Sequence, residues 1–329
     1  MVEYIRVALG TGIVLGLWRG QLAAAPTTAH FLTYYEGRCN ANCKFCPQAK
    51  GSTADLGMLS RVVWPRYSLE RVLQALKFNG HKFRRICIQA VNYPNVVDDI
   101  CELVTRMREA RKLPISVSCQ PLTKSDVERL AGVGVERVSV ALDAATSQIF
   151  KQVKGDSVYS WDGHLRALRE ARSVFGTRVT THLIVGLGET EQEMINVIQF
   201  CHDQGITVAL FAFTPIAGTP LENRPQPNLT SYRKIQLAHY LIANDISRAD
   251  QMSFENGCVV DFGVHSDLLL EAIESGEPFL TSGCPGCNRP FYNESPRGPI
   301  YNYPRKLTPR EKEEIKKQLG ILQSLTTNF

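Results

Sequence analysis

From residue 30 onward, short β-branched runs alternate with amphipathic helical stretches, and this alternation restricts the fold more than any other feature of the chain. Strands are predicted over 30–35, 85–89, 115–119, 137–142, 178–185 and 207–213, with helices over 69–78, 97–111, 124–131, 161–175 and 191–204 between them. The last of these helices opens with Thr190 and Glu193 in capping-box spacing and closes at Gly205. Such an order implies a parallel sheet, because parallel neighbours need a crossover of a dozen or more residues. After Pro220 the texture changes: a loop over 223–228 leads to a helix over 229–246, and another helix is expected over 267–274. The apolar pieces 252–254 and 259–262 are expected as strands seven and eight, since eight strands close a TIM-type (β/α) barrel and six leave it open. The expected class is therefore α/β. A barrel of six to eight parallel strands over 30–276 stands between an N-terminal cap, 1–29, and a C-terminal extension, 277–329. In that extension a loop rich in Pro, Gly, Asn and Tyr precedes a last helix, which starts at Thr308-Pro309 and carries Ile315, Leu319 and Leu322 on one face.

The 329 residues suffice for one large domain. With 37 basic against 32 acidic side chains, the net charge of +5 is too small to argue for nucleic acid. No run reaches the roughly 20 apolar residues of a membrane span. Residues 7–18 are apolar, follow Arg6 and precede Ala23-Ala24-Ala25-Pro26, which imitates a secretory signal. Gly10, Gly12, Gly16 and Gly20 interrupt this segment and Arg19 follows the apolar run, so a packed cap is expected instead. Ten cysteines make up about 3% of the chain, well below the roughly 8–10% of a disulfide scaffold. Their clustering points to metal or redox chemistry in a reducing compartment, and so to a cytoplasmic protein.

Cys39-x3-Cys43-x2-Cys46 follows the first strand, at the end of a barrel where enzymes place their chemistry. Three thiolates on one short loop hold three irons of a 4Fe-4S cube and leave the fourth open, whereas structural zinc wants four ligands and no fourth Cys or His lies nearby. The second grouping, Cys284-Pro-Gly-Cys287 with Cys258 upstream, is compatible with a cluster, with zinc or with a redox dithiol. The third cysteine and the unsupported loop favour an auxiliary 4Fe-4S cluster on Cys258, Cys284 and Cys287, with Ser282 nearby as a candidate fourth ligand. Cys101 and Cys201 fall on apolar helix faces, where a thiol packs as a small hydrophobe.

Cys39-Asn-Ala-Asn-Cys43-Lys-Phe45-Cys46 resembles the signature of radical S-adenosylmethionine enzymes. The resemblance implies that the open iron takes the amino and carboxylate groups of S-adenosyl-L-methionine and that the backbone beside Phe45 meets its adenine. It also implies a ribose contact from Asp143, an adenine-side turn in Ile184-Val-Gly186-Leu-Gly188-Glu189, and packing on the adenine by Ile216, ahead of Gly218-Thr219-Pro220-Leu221. Where the family often has Gly-Gly-Glu after strand two, this chain has Gln89-Ala90-Val91.

The barrel is also similar to biotin synthase. There, cysteines at the places of Cys87 and Cys119 help hold a sulfur-donating 2Fe-2S cluster; here strand five offers Thr180 instead of a third cysteine, and Arg248 stands as the match for an arginine. The tail 282–294 resembles that of the archaeal-type, two-protein lipoyl synthase. What this implies is sulfur insertion into the octanoyl chain of a carrier protein or peptide, with the auxiliary cluster as sulfur donor. A related second lipoyl synthase protein and an electron donor such as ferredoxin would take part. Biotin synthase acting on dethiobiotin and a non-catalytic zinc-binding module are the competing readings. His182, Tyr93 and Asn92 are expected to line the pocket, and the basic stretches 82–85 and 305–317 are candidate docking surfaces for an acidic carrier.

Overall fold

All six strands of the alternation form in the computed structural model, which describes residues 1–155 and 158–320. They are β1 (Thr28–Thr33), β2 (Arg85–Gln89), β3 (Ile115–Cys119), β4 (Arg137–Val140), β5 (Val179–Val185) and β6 (Thr207–Ala212). Each pairs in parallel with the next, in sequence order. Beyond β1 the sheet gains two antiparallel strands, Tyr4–Val7 and Arg66–Ser68, giving eight in all. The N-terminal segment thus enters the sheet as a strand, and the helix Leu9–Leu15 after it buries Thr11, Gly12 and Leu15.

The expected seventh and eighth strands do not join this sheet. Ser253–Glu255 and Cys258–Asp261 pair with each other as a separate antiparallel hairpin. Only Asn256 and Gly257 separate them, both with positive φ, a two-residue reversal that pairs the two strands with each other. The parallel barrel therefore has six strands and an open side, with β6 at the edge of its sheet.

Helices cover the outer face by the usual 3.6-residue logic. The helix Val96–Ala110 buries Val96, Ile100, Leu103, Val104 and Met107 at spacings that keep one stripe against the sheet. Thr190 and Glu193 form the expected capping box on α5 (Glu191–Asp203), whose Cys201 lies in the core. The last helix, Pro309–Gln318, buries Ile315; Leu319 packs partly against the same cluster, and Leu322 lies outside the described residues. Among the described residues, no helix is long and apolar enough to cross a membrane.

Register decides what faces the barrel interior. His30 pairs with Cys87, and Cys87 with Ser116, so three polar or sulfur-bearing side chains stand side by side across β1, β2 and β3. Leu32, Gln89 and Ser118 form the next inward row, two residues further along each strand.

The tail covers the open side. Ser282 Oγ accepts from Leu210 N–H on the exposed edge of β6 (2.9 Å), and Asn288 Oδ1 accepts from Thr27 N–H at the foot of β1 (2.9 Å). Gly283, at φ +120°, makes the approach sterically possible, because a Cβ there would lie 2.8 Å from Ala209 Cβ. The segment thereby covers an unpaired strand edge and carries its two cysteines inward.

Candidate active site

The loop after β1 is fixed by its backbone before any metal is considered. Cys39 N–H donates to Gln48 O (3.0 Å), Cys46 N–H to Cys43 O (3.0 Å) and Lys44 N–H to Val153 O (2.8 Å). Cys39 Sγ accepts from Asn92 N–H at 3.2 Å. Cys39, Cys43, Phe45 and Cys46 all line one cavity of about 170 Å³ at the strand ends. Burial pushes the Cys43 thiol up to about 12, Lys154 partly opposing and Asp143 and Cys39 adding to the rise. Burial, then the neighbouring Cys43, raises Cys46 further. Three thiolates in so dry a place require a cationic partner, and an iron cluster supplies one. Among the described residues no three His, Cys, Asp or Glu side chains converge on the point a single metal ion would occupy. The three thiols border one cavity, and they are the residues that would hold a cluster there.

Asp143 sits at the end of β4 with φ +65°, a conformation that favours Gly or Asn and here is fixed by pairing with Leu183. It does not cap a helix: the following one, Ser147–Val153, is capped by Thr146. Its carboxylate meets Lys154 Nζ at 2.7 Å, and the same ammonium donates to Ala141 O (2.6 Å) and stands 3.4 Å from His164 Nε2. Lys154 also lies 5.3 Å from the ring centres of Phe150 and Tyr159. Sequence reasoning missed Lys154. Its one available signal was its place eleven residues after Asp143, on a segment returning to the same strand end.

A second cavity, of about 190 Å³, lies deeper and shares a wall with the first, formed among others by Phe45, Cys46, Gln89, Asp143 and His182. Cys87, Cys284 and Cys287 line it. Burial raises the Cys87 thiol well above its ordinary range, with Cys284 and Cys287 adding to the rise and Arg85 and Arg289 opposing it. The Cys284 sulfur lies 3.8 Å from both Ser116 Oγ and Thr180 Oγ1. A tail cysteine therefore occupies the neighbourhood of the strand-five position that reads Thr180. The guanidinium of Arg289 rests 3.8 Å above the Phe211 ring and donates to Ser282 O (2.9 Å).

Cys258 corrects the sequence expectation. It is exposed beside the turn of the outer hairpin and does not line the cavity that holds Cys284 and Cys287; Cys87 lines that cavity with them. Its short distance along the chain misled because the hairpin lies against the N-terminus of α5, where Val259 N–H donates to Glu191 Oε2 (2.8 Å). Cys119 faces the first cavity, apart from Cys87. Arg248 is also elsewhere, paired with Asp203 at the end of α5 (3.0 Å).

Of the residues expected around the nucleotide, Phe45 and Asp143 line both cavities and Ile184 the deeper one. Gly186, Glu189 and Ile216 are not among the lining residues of either. Glu189 instead closes its own turn, accepting from Gly186 N–H (2.6 Å) and Leu187 N–H (3.0 Å). Gly218, beyond Ile216, lets that loop touch the cysteine loop, since a Cβ there would meet Ala54 N at 2.6 Å. His182 lines both cavities; burial holds it down to about 4, so the ring is neutral beside Ser139 Oγ (3.2 Å). Tyr93 stacks on Tyr35 away from the cavities. Three side chains of the basic stretches form ion pairs: Arg85 with Glu136, Arg305 with Glu311, and Lys316 with Glu274 and Glu313.

The family model described as Radical SAM superfamily matches residues 36–201. The chain is 26% identical over 204 residues to a biotin synthase of Clostridium botulinum, covering 60% of this chain and 60% of that one. It is 22% identical over 201 residues to the biotin synthase of Aquifex aeolicus, covering 60% and 59%. It thus spans about 60% of the length of these relatives. Among solved structures it is similar to methylornithine synthase PylB, with TM-score 0.54, 18% identity, and 72% and 67% of the two chains covered. Against the FeFe-hydrogenase maturase HydG of Carboxydothermus hydrogenoformans the TM-score is 0.52 at 16% identity, over 73% and 64%. At these identities the structural likeness is one of fold.

Proposed function

The chain belongs to the Radical SAM superfamily, and from that premise we propose that it inserts sulfur into the octanoyl chain of a carrier protein or peptide. The observation that carries the reading is the pair of adjoining cavities, one walled by Cys39, Cys43 and Cys119, the other by Cys87, Cys284 and Cys287, and both bordered by Cys46, Asp143 and His182. Similarity to biotin synthases supports sulfur chemistry, and the tail 282–294 supports the octanoyl substrate. When bound, a 4Fe-4S cluster on Cys39, Cys43 and Cys46 with S-adenosyl-L-methionine supplies a hydrogen-abstracting radical, and a second cluster on Cys87, Cys284 and Cys287 supplies sulfide.

The chain's own residues position and shield these groups. Lys154 holds Asp143 in place at the end of β4, and Phe45 and Gln89 border both cavities. Ile184, Ala209, Phe211 and Phe213 give the deeper cavity the apolar wall that an acyl chain requires, and neutral His182 adds no charge to it. The tail excludes water by covering the open side between β6 and β1.

Within this reading a related second protein and a low-potential donor such as ferredoxin take part. The deciding experiment reconstitutes the chain anaerobically and offers an octanoyl-lysyl peptide and dethiobiotin in parallel, with and without a lipoyl synthase of related sequence. Thiolated octanoyl product supports the proposal. Biotin alone transfers the reading to biotin synthase, and zinc in place of iron overturns both.

A further inference from the structure

The sulfur-lined end of the deeper cavity has three thiols and a fourth group that neither motif spacing nor the cysteine count selects. We propose that the imidazole of His30, through Nε2, is the fourth protein ligand of the cluster held by Cys87, Cys284 and Cys287. The inference rests on the presence of that cluster.

His30 is the register neighbour of Cys87 on the adjoining strand, so the two side chains leave the sheet side by side into the same space. Its Nε2 lies 3.7 Å from Cys287 Sγ, and it is 1% exposed. The backbone that aims it is clamped from outside, because His30 N–H donates to Thr11 Oγ1 (2.9 Å) and its carbonyl accepts from Ala8 N–H (3.1 Å). Its Nδ1 is buried without a hydrogen-bond partner. Coordination through Nε2 needs the neutral ring with its proton on Nδ1.

The competing groups are otherwise engaged. Ser282 Oγ is the acceptor for Leu210 N–H, which ties the tail to β6. Arg289 is engaged with the Phe211 ring and the Ser282 carbonyl. The Ser116 hydroxyl donates to the Cys284 sulfur and accepts from Arg85, and Thr180 Oγ1, 3.8 Å from the same sulfur, accepts from Arg137. Imidazole is an established iron–sulfur ligand and suits iron better than a neutral hydroxyl does. One nitrogen ligand among thiolates also removes a negative charge from a buried site, which raises the reduction potential of the cluster relative to an all-cysteine one.

The test uses the full chain with Cys39, Cys43 and Cys46 replaced by Ala, so that only the inner cluster remains, grown with 15N-histidine and reduced. Pulsed EPR is expected to show the strong coupling of a directly bound nitrogen, absent in the added variant His30→Ala. His30→Cys is expected to keep about four irons per chain and to titrate at a lower potential. Four irons without strong nitrogen coupling, or coupling that survives His30→Ala, overturns the assignment of His30 and leaves the cluster standing. Failure of the triple variant to hold iron, with Cys87→Ala and Cys284→Ala losing none from the otherwise unmodified chain, overturns the cluster itself.

Discussion

The two cysteine sets differ in how far apart in the chain their members lie. Cys39, Cys43 and Cys46 lie within one short loop, and the chain after β1 presents them together whatever the rest of the fold does. Cys87 and Cys284 are separated by almost two hundred residues and meet only because a tail covers the open side of a six-stranded barrel. The first set is a property of local sequence; the second is a property of tertiary closure. Loosening the tail should therefore empty the inner site and spare the rim site, whereas damage to the loop after β1 should do the reverse.

The largest effect is expected at the rim. Cys39→Ala should abolish formation of 5′-deoxyadenosine, measured by chromatography after reduction, while iron on the inner set persists. Cys284→Ala and Cys87→Ala should reverse that pattern, retaining 5′-deoxyadenosine and losing thiolated product. Cys258→Ala, on the outer hairpin, should retain full iron content. Loss of iron in Cys258→Ala would return the auxiliary set to the one suggested by sequence proximity and erase the contrast between local and closed sites.

This contrast also explains what could be read in advance. The boundaries of β2 and β3 follow from short β-branched runs between helix signals, and Thr190 with Glu193 announces α5, because each depends on near neighbours. The rim triplet was legible for the same reason. The hairpin at 253–261 was misplaced because apolar content shows that a strand forms, not which strand it pairs with. Cys87 and His30 read as ordinary strand residues until register and the tail set them beside Cys287, and Thr180 reads as a lost ligand until Cys284 arrives next to it. Lys154 likewise acquires meaning only when Ser147–Val153 folds back on β4.

A further difference lies in charge. The rim pocket contains a buried ion pair, Lys154–Asp143, with side chains 3% and 11% exposed. Removing one member strands the other in a medium that solvates it poorly, a loss of about 3–5 kcal/mol. Lys154→Met should therefore lower the urea midpoint strongly, and the double variant Lys154→Met/Asp143→Asn should recover part of the loss, because the orphaned charge is then gone and Asn tolerates the φ of +65°. A single variant as stable as wild type would mean that water reaches Asp143, and the rim pocket would then be less closed than the inner one.

His164 gives the smallest and most specific test of that closure. It is 1% exposed, its Nδ1 lies 2.9 Å from Ser160 O, and burial first, then the charge of Lys154, holds its pKa down to about 3. The ring is neutral in the fold and takes a proton near its ordinary value of about 6.5 once unfolded. Its contribution to stability is therefore complete above about pH 6.5. As the pH falls toward 3 the contribution is lost, because the unfolded chain then binds a proton that the native chain refuses; the slope is about 1.4 kcal/mol per pH unit. Other buried histidines titrate in the same direction, so the informative quantity is the difference between wild type and His164→Gln in urea titrations at pH 7.5 and 5.5. A shallower pH slope in the variant locates a dry, cation-facing wall beside the rim cysteines. Equal slopes would show that His164 protonates freely in the fold, and that the barrier to water at the rim lies nearer Cys43 and Cys46 than Lys154.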